Sequence, residues 1–262
     1  TFDETEAVAP HFMPLKFIEI EETDSTNTYL QTQRDTHNIR GWVVSARHQT
    51  AGKGMGSNTW ESEAGQNLTF SMALDMSFLS AAKQFELSKA VPVAIVKVLN
   101  ALIPSHRFQI KWPNDIFCEG QKVGGILINS TIKGGYMGIS IIGVGLNVNQ
   151  EQFHDWPTHP TSLRNLTGTS HDLNALLHAV AEGIHAECAS LKERIARHED
   201  NASADEAYFK HLFRYRTWAY YEVEGEHRWL FMKGIDAFGR LQLYDKKGNA
   251  YTYDIKEVKF VL

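Results

Sequence analysis

Residues 111 to 128 read Lys-Trp-Pro-Asn-Asp-Ile-Phe-Cys-Glu-Gly-Gln-Lys-Val-Gly-Gly-Ile-Leu-Ile, which sets two lysines, an Asn-Asp pair and a Gly-Gly step among apolar, strand-like residues. Ammonium groups in such surroundings suit the holding of an anion in a dry site, where charge attraction is stronger than in water. A turn at Glu119-Gly120-Gln121 would fold the segment back and bring Lys111 and Lys122 near each other. The competing reading is a hairpin with solvated lysines. Lys122, however, leads straight into Val-Gly-Gly and a short apolar run, so its backbone heads toward a core. The glycines leave space for a ligand to approach the main chain.

The elements that must position these residues follow from pattern. Residues 1–15 form a polar, proline-punctuated leader, expected to be flexible, before a strand at 16–21. Asp24 or Ser25 is placed to cap a short helix running to about residue 33. Strands are predicted at 42–46, 67–74, 108–112, 123–132 and 136–148, the last three as adjacent antiparallel partners. Between the first two lies 47–58, glycine-rich and polar, the best candidate for a mobile lid. Apolar spacing predicts a helix over 80–102, with Pro92 as a break or a helix start. Asp172 is an N-cap for a second helix, whose apolar face recurs through Leu173, Leu176, Leu177, Val180, Ile184, Cys188 and Leu191, and a further helix spans 204–215. From 216 the pattern turns to short strands with turns at Glu224-Gly225, Phe238-Gly239 and Lys247-Gly248, which reads as a small barrel.

With 262 residues the chain can bury a substantial core, and its 43% hydrophobic and 22% charged content is that of a soluble globule. A net charge of −5 and the lack of Lys/Arg clusters offer no broad positive field for nucleic acid, so DNA is not an expected partner. Cys118 and Cys188 are the only cysteines, too far apart for metal-ligand spacing, which points to a reduced compartment. The histidines are scattered without an HExxH pair, so no structural metal site is expected. No apolar run approaches the roughly 20 residues needed to span a bilayer, and the start is acidic, which leaves no expected membrane partner and makes the cytoplasm the expected location.

Taken in order, Ser25-Thr26-Asn27, Gln49-Thr50-Ala51-Gly52-Lys53-Gly54, Trp60, 111–115, 122–127 and Gly143-Val-Gly-Leu-Asn-Val148 resemble the motifs of biotin protein ligases, and the likeness covers roughly residues 15–262. The resemblance implies an α+β fold: a mixed, largely antiparallel sheet with helices, like class II synthetases, over 16–215, and an SH3-like barrel over 216–262. It implies ATP-dependent conversion of biotin to biotinyl-5′-AMP and transfer to a lysine of a biotin carboxyl carrier protein, with ATP and Mg2+ required. Lys122 resembles the lysine that contacts the biotin carboxylate and later the α-phosphate. The resemblance further implies that Lys111 orients phosphate or acceptor, or neutralises Asp115, and that Asp115 positions magnesium or assists the incoming amine. Ser25, Thr26, Asn27 and Gln49 resemble contacts to the biotin ring, with Gly52, Lys53 and Gly54 beside them, and Gly125, Gly143 and Gly145 let strands pack against it. Lys53, Asn114 and Asn147 resemble nucleotide contacts, Asn147 with a magnesium-phosphate alternative, and Trp60 resembles the aromatic that packs on adenine.

The lid departs from the family pattern Gly-Arg/Lys-Gly-Arg-x-Gly-Arg-x-Trp: Met55 and Asn58 stand at two frequent arginines and Ser57 at a glycine. It is neither a Walker A loop, since Gly-Lys is not followed by Ser or Thr, nor a dinucleotide fingerprint. Lipoate or another small carboxylate is the alternative substrate, and the absence of the Arg-Arg-x-x-Gly-Gly-Gly signature of lipoate ligases counts against it. A non-catalytic biotin-binding protein is a further alternative. The first catalytic strand begins by residue 16, so a monofunctional ligase without a DNA-binding domain is expected. An edge strand near Tyr136 or the helical face from Leu173 to Leu191 is the candidate surface for a homodimer.

Overall fold

A computed structural model describes residues 12–153 and 159–262. The first eleven residues of the expected leader lie outside them; Phe12 packs edge-on against Phe78 and His185.

One mixed sheet carries the fold. Its strands are β1 (Lys16–Thr23), β2 (Trp42–Gln49), β3 (Leu68–Asp75), β4 (Phe108–Lys111), β5 (Asp115–Cys118), β6 (Gln121–Lys133) and β7 (Tyr136–Leu146). They lie in the order β1-β2-β3-β7-β6-β5-β4, with β1 and β2 parallel and all other neighbours antiparallel. Alternation along β3 assigns the two faces. Leu68, Phe70, Met72 and Leu74 enter the main core, beneath α2 (Phe85–Leu102) and α4 (Leu173–Ala196). Thr69, Ser71 and Ala73 face the other side, where α1 (Thr26–Gln33) packs Leu30 against Val44, Ala73 and Ile141.

Several expectations need correction. The Glu119-Gly120 turn exists, both residues having positive φ, but it joins β6 to β5, a strand not anticipated, and not to β4. The predicted helix over 80–102 begins only at Phe85, after a single 3-10 turn at Ala81–Lys83. Pro92 neither breaks nor starts it: burial of the helix outweighs the hydrogen bond that proline removes. The helix placed at 204–215 is α5 (Ala202–His211); it stops where Phe213 donates to the carbonyl of Ile110 on β4. A short α3 (Leu163–Thr167) was not foreseen. Asp172 does cap α4, its Oδ1 accepting from Asn174 and Ala175 at 2.9 and 3.0 Å. Neither expected dimer surface survives. β7 runs between β3 and β6 and is no edge, and Leu176, Leu177, Val180, Ile184, Cys188 and Leu191 are buried in the core.

The tail forms a second sheet, β8 (Trp218–Val223), β9 (Glu226–Ile235), β10 (Leu241–Tyr244), β11 (Ala250–Tyr253) and β12 (Val258–Phe260), all antiparallel in the order β11-β10-β9-β8-β12. The three predicted turns lie between its strands. The β-rich C-terminal unit expected there is present as this five-stranded sheet, and no pairing joins β11 to β12. It packs on the main sheet through one continuous core, and the indole of Trp112 donates to the carbonyl of Gly239 at 2.9 Å.

Candidate functional site

A single rung crosses the main sheet: Lys111 pairs with Asp115, Asp115 with Gly125, Gly125 with Gly145, and Gly145 with Thr69. The next row of the same face holds Leu127, Gly143 and Ser71. Above these rows opens a cavity of about 430 Å³, within the range of small-ligand sites.

At one end stands a charged cluster. Lys122 Nζ lies 2.8 Å from Asp115 Oδ1, and Lys111 Nζ lies 3.4 Å from Asp115 Oδ2. Residues three apart on a regular strand point to opposite faces. The register shift between Ile116 and Phe117 turns Lys122 onto the face of Gly125, so that a Cβ at Gly125 would lie 3.7 Å from Lys122 Nζ. Burial holds the Lys111 ammonium below the ordinary lysine range, against the opposing pull of Asp115. Among the described lining residues the charged groups are Lys53, Lys111, Lys122 and Lys259 against Asp115. Lys259 already meets Glu222 at 2.8 Å, which leaves Lys111 and Lys122 sharing the Asp115 carboxylate and Lys53 on the loop with no carboxylate partner in the lining. Such an excess attracts anions.

The other end is polar and neutral. Ser25 stands at the N-cap of α1 without a capping side-chain bond, and Asp24 Oδ1 accepts from the Ser25 amide at 2.6 Å. The cap expected from Asp24 or Ser25 comes instead from Gln49 on β2, whose Oε1 accepts from the Thr26 amide at 2.9 Å and from its hydroxyl at 3.1 Å. Thr26 Oγ1 shares a 2.6 Å hydrogen bond with Ser71, and Ser71 donates to Asn27 Oδ1. Asn27 Nδ2 donates to Asn129 Oδ1 at 3.0 Å. Thr69 and Ser71 were missed, although two hydroxyls alternating within an apolar strand mark a polar face.

The loop from Gly52 to Trp60 closes as a small hairpin: Trp60 N donates to Gly52 O at 2.9 Å, and Lys53 bridges to Thr59. Lys53, Gly54, Met55, Asn58 and Trp60 line the cavity. Trp60 is buried on Gly145, where a Cβ would come within 2.5 Å of its Cε2. A Cβ at Gly143 would collide with the Asn27 carboxamide. In this structure protein groups therefore cover the two β7 glycines, where the resemblance implied a ligand ring.

Of the expected site residues, Ser25, Thr26, Asn27, Gln49, Lys53, Gly54, Trp60, Lys111, Asn114, Asp115, Lys122, Gly125, Gly143 and Gly145 line the one cavity, and Gly52 and Asn147 do not. Gly52 sits against the Trp60 carbonyl at the loop base. Asn147 is buried beyond the wall, donating to Thr161 O at 3.1 Å, while its Oδ1 has no hydrogen-bond partner. Asn114 lines the cavity, but its Nδ2 is held by Ile126 O at 2.7 Å. Magnesium was expected near Asp115 and Asn147 only as an ion carried on the ATP phosphates, and these two side chains do not by themselves form a metal site. Asp115 has an ammonium on each oxygen, Asn147 lies outside the cavity, and among the described residues no three His, Cys, Asp or Glu side chains cluster.

Residues 19–147 match the model of the Biotin/lipoate A/B protein ligase family. Over 168 residues the chain is 33% identical to the biotin–[acetyl-CoA-carboxylase] ligase of Paracoccus denitrificans, covering 61% of this chain and 67% of that protein. The chain belongs to the biotin protein ligase family. It is 34% identical over 151 residues to the bifunctional ligase/repressor BirA of Bacillus spizizenii, covering 54% of this chain and 46% of BirA, so it spans less than half the length of that relative. In fold it is similar to the biotin protein ligase of Aquifex aeolicus solved in complex with biotin and ATP, with a TM-score of 0.75, 21% identity, and coverage of 94% of this chain and 99% of that one. No helix among the described residues of this family member is long and apolar enough to cross a membrane.

Proposed function

We propose that this chain activates biotin with ATP and passes the biotinyl group to a lysine of a biotin carboxyl carrier protein. The observation that carries the reading is the division of one cavity between a neutral hydrogen-bonding end and a cluster with more ammonium groups than carboxylates. Biotin has the matching halves: a ureido ring, which exchanges hydrogen bonds, and a carboxylate at the end of an apolar chain. In the first step a carboxylate oxygen bonds to the α-phosphorus of ATP as the bond to the pyrophosphate oxygen breaks. Two anions must approach, and fixed cations lower that barrier. Lys122 holds the carboxylate and then the α-phosphoryl oxygens, Lys53 faces the phosphates from the loop, and Trp60 covers the nucleotide. In the second step the acceptor amine bonds to the acyl carbon, AMP leaves, and the amine proton passes to solvent.

Among the described residues no cluster of His, Cys, Asp or Glu makes a metal cage, and magnesium bound to the ATP phosphates would offset part of their charge. Names of the relatives support the substrates: a biotin–[acetyl-CoA-carboxylase] ligase and a biotin protein ligase in complex with biotin and ATP. The test is exchange of labelled pyrophosphate into ATP with the purified chain. Exchange that depends on biotin and not on lipoate is expected. Exchange with lipoate alone would overturn the substrate, and none with either would overturn the activity.

A further inference from the structure

Lys111 is gripped by more than its ion pair. Its ammonium lies 5.0 Å from the ring centre of Phe117 on β5 and 5.2 Å from that of Phe260 on β12, so the grip is complete only when the C-terminal sheet packs on the main one. Phe260 is itself fixed. Tyr221 meets it edge-on at 5.0 Å, Phe213 stacks at 6.4 Å, and Arg214 Nη2 donates to the neighbouring Val261 carbonyl at 2.8 Å. Aromatic faces stabilise a cation where water is scarce.

Asp115 is shared unequally, at 2.8 Å from Lys122 and 3.4 Å from Lys111. An anion that claims Lys122 competes with this carboxylate, and a buried carboxylate stripped of its ammonium is costly. Lys111 already touches the other oxygen. We propose that the substrate carboxylate, on reaching Lys122, hands Asp115 over to Lys111, and that Phe260 with Phe117 clamps Lys111 where it can receive it. The proposal rests on the reading of Lys122 as the carboxylate's partner. Phe260 acts through Lys111 and is a positioning residue.

The experiment compares the full chain with Phe260→Leu, Phe260→Tyr, Lys111→Met and the Phe260→Leu/Lys111→Met pair, after unfolding midpoints establish that each is folded. Phe260→Leu is expected to lower kcat for biotin-dependent pyrophosphate exchange by about 3- to 10-fold, with little change in KM for biotin, and Phe260→Tyr to restore it to within about twofold. In the Lys111→Met background Phe260→Leu should cost nothing more, because the pair acts as a unit. In carbon NMR of the intact protein without substrate, the Lys111 ε-methylene should be shifted upfield by the rings. It should return toward the free-lysine position in the Leu variant and not in the Tyr variant. Equal losses in both backgrounds, or a Lys111 resonance that ignores Phe260→Leu, would overturn the clamp. If the unaltered chain exchanges with no carboxylate, the functional reading fails and the handover falls with it, while the resonance still decides the clamp.

Discussion

At the α1 end of the cavity, Thr26, Asn27, Gln49 and Ser71 are already bonded to one another or to neighbouring protein groups, whereas at the β5 end two ammonium groups share one carboxylate. The first end is close to satisfied without a ligand, so its contribution is orientation. The second is short of negative charge, so it gains most from what binds there. Binding and chemistry should therefore separate under mutation, because an interaction used equally in the ground and transition states moves KM, and one used chiefly in the transition state moves kcat.

The sharpest way to break this division is Lys122→Ala, which should reduce biotin-dependent exchange by about 10³-fold, the scale of losing one preorganised electrostatic group, with the fold intact by circular dichroism. Near-normal turnover would remove Lys122 from the chemistry. Ser71→Ala should instead raise KM for biotin about 5- to 10-fold at nearly constant kcat, since it deletes a buried hydroxyl that joins Thr26 to Asn27. A fall in kcat as large as the rise in KM would merge the two ends into one.

Met55→Arg adds a charge to the loop, where the family often has one. It should slow loss of biotinyl-AMP a few-fold in a filter-binding chase, an effect limited by exposure of the loop. An unchanged rate would show that phosphate is held by the strands alone. The smallest expected signal concerns the core behind the cavity. Burial pushes the Cys118 thiol up to about 11 and the Cys188 thiol up to about 12. At pH 8 both stay protonated, and Ellman's reagent should find no fast-reacting thiol in the native chain. Rapid labelling of Cys118 would mean that β5, which carries Asp115, opens easily.

Much of this was legible in the chain because it is local. The Asp172 cap, the Glu119-Gly120 turn and the three turns of the tail are each decided by a few adjacent residues whose side chains or φ requirements act over short range. The spaced motifs likewise gathered most of the cavity wall. What was not legible depends on partners far apart in sequence. Gln49 caps α1 from another strand, and nothing near Ser25 announces it. The register shift at Ile116/Phe117, which swings Lys122 onto the face of Gly125, exists only in the pairing of β5 with β6. Asn147 shares its motif with the cavity glycines Gly143 and Gly145 but lies beyond the cavity wall. Phe260 reaches Lys111 from the far end of the chain, a meeting that only the packing of two sheets creates.

Calorimetric titration of the intact chain and of Lys122→Ala with biotin and with its alcohol analogue, which keeps the ring and lacks the carboxylate, puts the charge-deficient end to the most direct test. The account predicts that the unaltered chain binds biotin at least about tenfold more tightly than the alcohol, as a charge-assisted contact should give, and that Lys122→Ala binds the two alike. Equal affinities in the unaltered chain, or a preference that survives loss of Lys122, would contradict it.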